Sequence, residues 1–474
     1  MASSFRKEEL TYCSNVHPGE SARDIMNNLC HYVAVLRRNR ELSNMATGIW
    51  ISNQAARELA NADLRSEFKD LLKKENLWPT SINGFPFGGF HEENVKEKVY
   101  SPDWSDIRRL DYTRQLGDLA VDLLREAPSH FRRCAISTVP LGFKSLWNPG
   151  KDGAAIENLL AAEAHFKTLS RESGIHISLC LEMEPGCVLE STSEVLYFWD
   201  RLYPPKLNGP DSKIGTSSGQ DAKASQVQGH VSHLGLCYDI CHQAVMFENI
   251  QESLGMLFRA GIPIFKFQIS SAIEVRWLTD DGIRESKKSD IIRRLEPFCD
   301  KRYLHQTTIS KVDLTYYLDL DRALESMRKD MEPSNSLNPE ATGPEKLERQ
   351  NAEFRPANEA KPGEWEVNPG QTPGENPEIW RIHYHVPIHL ESLEDGRQPG
   401  AGLYTTAAQI EEALDFLASI PPSEDHRPVL EVETYTWTVL PESVRQRYSN
   451  VVQSIQMELD YLEKALMDRK LLKV

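Results

Sequence analysis

The chain has 474 residues and a mass of 54.0 kDa, and 40% of its residues are hydrophobic, so we expect a globular protein with a large core. Its formal net charge of −16 and isoelectric point near 5.4 disfavour binding to nucleic acid or to an anionic membrane surface. No apolar run approaches the roughly 20 residues that cross a bilayer, and the N-terminus lacks the basic and apolar parts of a signal peptide. We therefore expect a cytoplasmic protein without membrane insertion, and the composition leaves its oligomeric state open.

Nine short apolar runs predict β-strands. In chain order they are residues 10–16, 47–51, 80–84, 134–139, 177–182, 234–240, 264–269, 380–388 and 429–437. Between most of them, apolar residues three and four apart predict helices, for example over residues 154–173. Strands that alternate with helices indicate a parallel sheet. Because runs such as 264–269 suit burial on both faces, we predict an α/β fold of the (β/α)8 TIM barrel type, with one of the nine runs outside the barrel.

Two stretches account for the length beyond the ~250 residues of a typical barrel. Residues 207–229 are rich in Gly, Ser, Asp and Gln, and residues 331–376 are dense in Pro, Glu, Asn and Gly, so we predict two flexible insertions. Residues 441–474 carry apolar side chains at helical spacing and predict a C-terminal helical extension packed on the barrel. We expect one barrel domain over residues 1–474.

The eight cysteines are scattered, and several lie inside apolar runs. The closest spacings, Cys180 with Cys187 and Cys237 with Cys241, do not match paired zinc-knuckle spacing. We predict neither a disulfide framework nor a structural zinc site.

Polar side chains end several of the predicted strands, at the face where TIM barrels carry their active sites. A carboxylate in such a place is costly unless it meets a cation. Carboxylate, amide and imidazole ligands suit Mn²⁺, Mg²⁺, Co²⁺ or Zn²⁺, so the pattern predicts a divalent metal ion. The strand-end candidates are Glu182, Glu184, Asp239, Gln268, Glu431 and Glu433.

Four further side chains of interest are histidines. His242 follows Asp239 by three residues, His383 and His385 share one face of a predicted strand, and His17 lies with Asn15 before a Pro-Gly turn. Each candidate also has a structural alternative, because strand-end charges pair with rim lysines and core histidines bond to carbonyl groups. The coincidence of four polar strand ends favours the metal site. Neither a nucleophile elbow nor a P-loop occurs.

Five motifs carry a resemblance to a known family: TYCSNVHPGES at 11–21, CYDICH at 237–242, KFQISSA at 266–272, HYHVP at 383–387 and LEVETYTW at 430–437. They resemble the metabolite traffic protein EboE family, which is similar to the xylose isomerase-like TIM barrels that include sugar phosphate isomerases and epimerases. The resemblance covers almost the whole chain outside the two predicted insertions. It implies a divalent metal held by Glu184, Asp239, Gln268 and Glu433. The strand of His383, between Gln268 and Glu433, departs from the pattern.

The predicted activity is therefore that of a metal-dependent isomerase or epimerase, acting on a small sugar or similar polar metabolite through an enediolate. Glu184 and Glu433 are the predicted base and acid. Two alternatives remain: a non-catalytic metabolite-binding protein of a transport or biosynthetic pathway, and a metal-dependent phosphodiesterase, which the acidic composition disfavours. The predicted substrate contacts are Asn15, His17, Glu182, His242, His383, His385 and Glu431.

Overall fold

The central sheet consists of eight parallel strands. It is seen in a computed structural model that describes residues 5–204, 232–276, 285–331, 378–394, 402–420 and 427–473. The strands of this part of the chain are β1 (Phe5–Arg6), β2 (Thr11–Tyr12), β3 (Met45–Trp50), β4 (Leu77–Asn83), β5 (Arg133–Thr138), β6 (His176–Glu182), β7 (Leu234–Asp239), β8 (Ile264–Ile269), β9 (Ser271–Arg276), β10 (Thr307–Ser310), β11 (Leu314–Tyr317), β12 (Ile379–Val386), β13 (Gly402–Thr405), β14 (Val429–Val432) and β15 (Leu472–Lys473).

The eight strands close into a barrel. Their order is β2-β14-β8-β7-β6-β5-β4-β3, and every neighbouring pair is parallel. Cys13, directly after β2, forms a parallel bridge with Gly48 of β3, which joins the two ends of the sheet. All six residues of β3 and of β7 are buried, as expected for strands with a filled interior on one side and helices on the other. The fold is a (β/α)8 TIM barrel, which confirms the prediction.

Helices connect most of the barrel strands and pack on the outside of the sheet. Local sequence signals set their ends: Ser191 accepts a hydrogen bond from the backbone of Glu194 at the start of one helix, and Gly174, at φ 70°, ends another. The helices span Ala22–Asn28, Ala34–Asn39, Asn53–Glu58, Ala62–Lys74, Ile107–Leu124, Asp152–Ser173, Thr192–Leu202, Ile240–Val245, Ile250–Arg259, Glu285–Leu295, Leu320–Met331, Ala407–Ser419, Glu442–Arg445 and Val451–Asp468, with a π-helical turn at Leu29–Val33.

A second, antiparallel sheet is inserted between β8 and β14. Its order is β11-β10-β12-β9-β13. Strand β9 starts two residues after β8 ends, so this sheet grows directly from the C-terminal end of a barrel strand. It has an apolar core of its own, which includes Ile273, Trp380 and Ile382. The predicted strand at residues 380–388, eighth in chain order, is β12 of this sheet and is the run that lies outside the barrel.

Of the three predicted additions to the barrel, the structure describes mainly the C-terminal extension. The insertion at 207–229 lies outside the described residues, as does the insertion at 331–376 except for Met331 at a helix end. The C-terminal extension contains the predicted helix, Val451–Asp468, whose Ile455, Leu459 and Leu462 are buried. In the described ranges, no helix has both the length and the hydropathy that a membrane span requires.

Candidate metal centre

Three carboxylates meet at the C-terminal mouth of the barrel. Glu182 is the last residue of β6, Asp239 is the last residue of β7, and Glu433 directly follows β14. One oxygen of each lies within 4.8 Å of the other two, and all three side chains are buried. Glu182 Oε2 and Asp239 Oδ2 have no hydrogen-bond partner among the described residues. Buried acceptors without a donor are costly, and this group could be neutralised by a metal ion or by protons.

Amide side chains hold Glu433 in place. The Gln268 Nε2 amide donates to Glu433 Oε2, and Asn15 Nδ2 donates to Glu433 Oε1 at 2.8 Å. Asn83 Nδ2, at the end of β4, donates to the same Oε1 at 3.4 Å. Gln268 reaches this position because it lies opposite Asp239 in the β7–β8 pair. Its Oε1 accepts from the Cys237 thiol at 3.0 Å.

Asp239 is oriented by the helix that follows it. It is the N-cap of Ile240–Val245, where its Oδ1 accepts from the backbone nitrogen of His242 at 3.1 Å. The Ser270 hydroxyl donates to the same Oδ1 at 2.7 Å. These two bonds use one oxygen and leave Oδ2 aimed into the centre.

Three histidine rings converge beside the carboxylates. The ring centroids of His242, His383 and His385 lie 4.5 to 5.5 Å apart. Each Nδ1 donates to an oxygen that only accepts: Met183 O at 2.8 Å, Gln306 Oε1 at 2.7 Å and Glu433 O at 2.9 Å, respectively. Since Nδ1 carries the proton, Nε2 of each neutral ring presents a lone pair. His242 Nε2 lies 3.7 Å from Asp239 Oδ2, and His385 Nε2 lies 3.8 Å from it.

The pKa values follow from burial and crowding of charge. Burial, with the nearby charges of Glu182 and Asp239, raises the pKa of Glu433 well above its usual value. Burial raises the pKa of Glu182 to about 7, although His242 and Lys266 oppose the shift. Burial lowers the pKa of His242, but Asp239, Glu184 and Glu182 outweigh it and raise the value to about 9. The group therefore retains protons near neutrality unless a metal ion replaces them.

Glu184 lies in a pocket next to this group. Its Oε2 is 3.3 Å from His242 Nε2, and its Oε1 accepts from the Tyr100 hydroxyl at 3.0 Å. Burial raises its pKa. The lining of the pocket includes Glu182, Glu184, Glu433, Phe90, Tyr303 and Tyr435.

Two of the predicted residues lie apart from this pocket. The His17 ring stacks on Tyr32 with centroids 3.9 Å apart, and its Nε2 is bonded to the Tyr12 hydroxyl at 2.9 Å. Glu431 points into the barrel interior, where Lys266 Nζ lies 2.6 Å from its Oε1. Neither lines the pocket. The other predicted residues come together: Asn15, Glu182, Glu184, Asp239, His242, Gln268, His383, His385 and Glu433.

Some residues of the site were not singled out in the sequence. Asn83 is a polar residue at the end of a barrel strand, so the criterion that selected Asp239 also applies to it. Tyr100 and Gln306 lie in connecting segments, and only the tertiary fold brings them to the site. There, Gln306 Nε2 donates to the Tyr100 hydroxyl at 3.1 Å. No strand-end pattern marks these two residues.

No protein-family model and no curated protein sequence matches the chain. Among solved structures, the probable 3-DHS dehydratase AsbF of Bacillus anthracis is 11% identical, with a TM-score of 0.32, over 69% of this chain and 99% of AsbF. A D-tagatose 3-epimerase-like protein is 15% identical, with a TM-score of 0.31, over 55% of this chain and 74% of that chain. A D-psicose 3-epimerase is 11% identical, with a TM-score of 0.31, over 60% and 80%. Likeness at this level identifies neither a reaction nor a substrate for this chain.

Proposed function

We propose that the protein is a divalent-metal-dependent isomerase or epimerase of a small polyhydroxy carbonyl compound, and that the chemistry proceeds through an enediolate. The observation that carries this proposal is the convergence of Glu182, Asp239 and Glu433, buried and partly unpaired, at the edge of a pocket in the barrel mouth. The likeness of five motifs to the EboE family supports the same class of barrel, and membership of that family is part of the proposal.

The donor set fits a divalent ion of the Mn²⁺, Mg²⁺, Co²⁺ or Zn²⁺ type, because it offers carboxylate oxygens and a neighbouring amide. Glu182, Asp239 and Glu433 would hold the ion, and a half-turn of the Gln268 amide would present its oxygen as a fourth ligand. The geometry favours Glu182 over Glu184 as the ligand from β6, since Glu182 is the one grouped with Asp239 and Glu433. A bound ion supplies positive charge beside the carbonyl oxygen of the substrate.

Glu184 and Glu433 are the proposed proton carriers. Both line the pocket, and burial raises the pKa of both above the usual value of a carboxyl group, which favours the protonated form of each. One would remove the proton from the carbon next to the carbonyl group, and the other would return it. The Tyr100 hydroxyl, bonded to Glu184 Oε1, fixes the direction of that carboxylate.

The charges of the lining favour an unphosphorylated substrate. Glu182, Glu184 and Glu433 face the pocket, and Lys96 is the one lysine or arginine among the described lining residues. Lys96 is already ion-paired with Asp319. A phosphate group would therefore find no unpaired lysine or arginine in the described lining, whereas hydroxyl groups would find acceptors and the faces of Phe90 and Tyr303.

Solvent deuterium incorporation tests the proposal. The metal-loaded protein is incubated in D₂O with unphosphorylated ketoses and aldoses and with their phosphates, and NMR follows deuterium at the carbon next to the carbonyl group. We expect exchange in an unphosphorylated sugar, and a loss of about 10²–10⁴-fold in the Glu433→Gln variant with its fold retained. Glu442→Gln, an exposed change, is the matched control. Full activity of Glu433→Gln contradicts the assigned role, and sugar binding without exchange favours a metabolite-binding protein.

A further inference from the structure

Asp239 stands between two groups of buried ligand atoms. On one side its carboxylate meets those of Glu182 and Glu433, and on the other it meets the imidazoles of His242 and His385. Within each group, one ligand atom of each residue lies within 4.8 Å of the other two. In the described part of the chain, the groups that satisfy this condition contain three residues and not four. Glu184 with His242 and His383, and Cys241 with His383 and His385, form two further groups of this kind, so the ligand atoms surround more than one point.

A single ion does not serve both groups in this geometry. Zinc and similar ions bind nitrogen and oxygen at about 2.0–2.2 Å, so the atoms that share one ion lie within roughly 4.4 Å of each other. Each group of three is close to that size. Glu182 and Glu433, by contrast, do not join His242 and His385 in one group.

His242 and His385 have the hydrogen-bonding arrangement of metal-binding histidines. Nδ1 of His242 and of His385 donates to a backbone carbonyl oxygen, as metal-binding histidines do with their second nitrogen. Their Nε2 atoms lie 3.7 and 3.8 Å from Asp239 Oδ2. His385 Nε2 and Asp239 Oδ2 are both buried, and neither has a hydrogen-bond partner among the described residues. A proton on His242 Nε2 would face Glu184 Oε2, 3.3 Å away, and would leave Asp239 Oδ2 and His385 Nε2 without partners. One ion among Asp239, His242 and His385 would serve all three residues.

We propose that the centre holds two divalent ions that share the carboxylate of Asp239. The first lies among the carboxylates of Glu182, Asp239 and Glu433, and the second lies among Asp239, His242 and His385. The nitrogen-rich second site prefers zinc or cobalt, and the first site, with oxygen ligands only, also accepts manganese or magnesium. Glu184 belongs to neither of these two groups, although its Oε2 lies 3.3 Å from His242 Nε2. The number of ions does not depend on which reaction the pocket supports.

Counting zinc tests this proposal. The full-length chain is stripped of metal, dialysed against buffered Zn²⁺ and analysed by mass spectrometry of the elements. We expect about two ions per chain for the wild type and about one for His385→Gln. His389→Gln is the matched control, because His389 is bonded to the Tyr448 hydroxyl at 3.0 Å and lies in neither group, and it should keep about two. About one ion in the wild type, or an unchanged count in His385→Gln, overturns the proposal.

A second measurement needs no variant and covers the case in which His385→Gln fails to fold. Mn²⁺ is titrated into the metal-free wild type and followed by electron paramagnetic resonance. Two ions that share one carboxylate lie about 3.5–4 Å apart, so their spins couple and the signal of the first ion changes as the second binds. Simple addition of two independent six-line spectra, or saturation at about one ion, overturns the proposal. Neither measurement uses a substrate, so the two-ion centre is judged separately from the isomerase activity.

Discussion

Lys266 and Glu431 form an ion pair inside the barrel that is sealed from solvent. Both side chains are fully buried, with Lys266 Nζ 2.6 Å from Glu431 Oε1. The pair also requires glycine at position 48, because a Cβ atom at Gly48 would lie 1.8 Å from Glu431 Oε2. Glu431 and Glu433 share a strand face, but Glu433 lines the pocket while Glu431 lies deeper, where a cation of the protein itself neutralises it. Its role is that of a core residue of the barrel.

Replacing one partner of this pair should destabilise the fold. In Lys266→Met, the carboxylate of Glu431 stays buried without its cation, and we expect the free energy of unfolding to fall by about 3–5 kcal/mol. Urea unfolding of the metal-free protein, followed by circular dichroism, measures the change. The double variant Lys266→Met/Glu431→Leu removes both charges and should recover most of the loss. Wild-type stability of the single variant would show that the pair does not neutralise Glu431 in solution.

The C-terminal helix Val451–Asp468 carries a buried acid. Glu458 Oε2 accepts from the Thr434 hydroxyl at 2.6 Å and from the backbone nitrogen of Ile388 at 3.2 Å. Burial raises the pKa of Glu458 to about 7, and the hydrogen bonds only partly offset this. The helix is thereby tied to the segments that follow β12 and β14, both of which end at the candidate centre.

The raised pKa predicts a loss of stability with rising pH. In the unfolded chain Glu458 titrates near 4.5, so between about pH 4.5 and 7 the folded state binds a proton that the unfolded state lacks. The contribution to stability therefore falls across that window and levels off above it. Glu458→Gln mimics the protonated acid and should raise the free energy of unfolding by about 3 kcal/mol near pH 8, with little effect near pH 4.5.

Denaturant unfolding across this pH range checks the prediction. Asp468→Asn, an exposed change at the end of the same helix, is the control and should follow the wild type at every pH. Parallel pH profiles for Glu458→Gln and the wild type would mean that the acid is ionised or solvated in the folded state.

The eight barrel strands were predictable because each is a short apolar run between helical patterns, and the polar strand ends marked Asp239, Gln268 and Glu433. The second sheet was largely missed for physical reasons. Strands β10, β11 and β13 have four residues each, too few for a clear alternation of polar and apolar side chains. Strand β9 follows β8 after a single residue, so the sequence shows no boundary between the two strands. The contribution of Gln306, just before β10, depends on that sheet.

The candidate centre lies where the barrel and the antiparallel sheet meet. Asp239 and Glu433 come from the barrel, whereas His383 and His385 lie on β12 of the antiparallel sheet. The Nδ1 of His385 donates to the backbone oxygen of Glu433, so one hydrogen bond already spans the junction. Bound ions would add links between the sheets, and their removal would leave several buried carboxylates without a counter-charge.

Removing metal should therefore loosen both sheets where they meet. After treatment of the metal-loaded protein with a chelator, we expect amide exchange in β12 and in the helix Ile240–Val245 to speed up by about tenfold, which corresponds to about 1.4 kcal/mol of local opening free energy. Mass spectrometry of peptides after hydrogen–deuterium exchange localises the effect. The β1–β15 pair, built from Phe5–Arg6 and Leu472–Lys473, contributes no ligand to the centre and should keep its rate. Faster exchange after β7 with none in β12 would show that His385 holds no ion and that the sheets meet through packing alone.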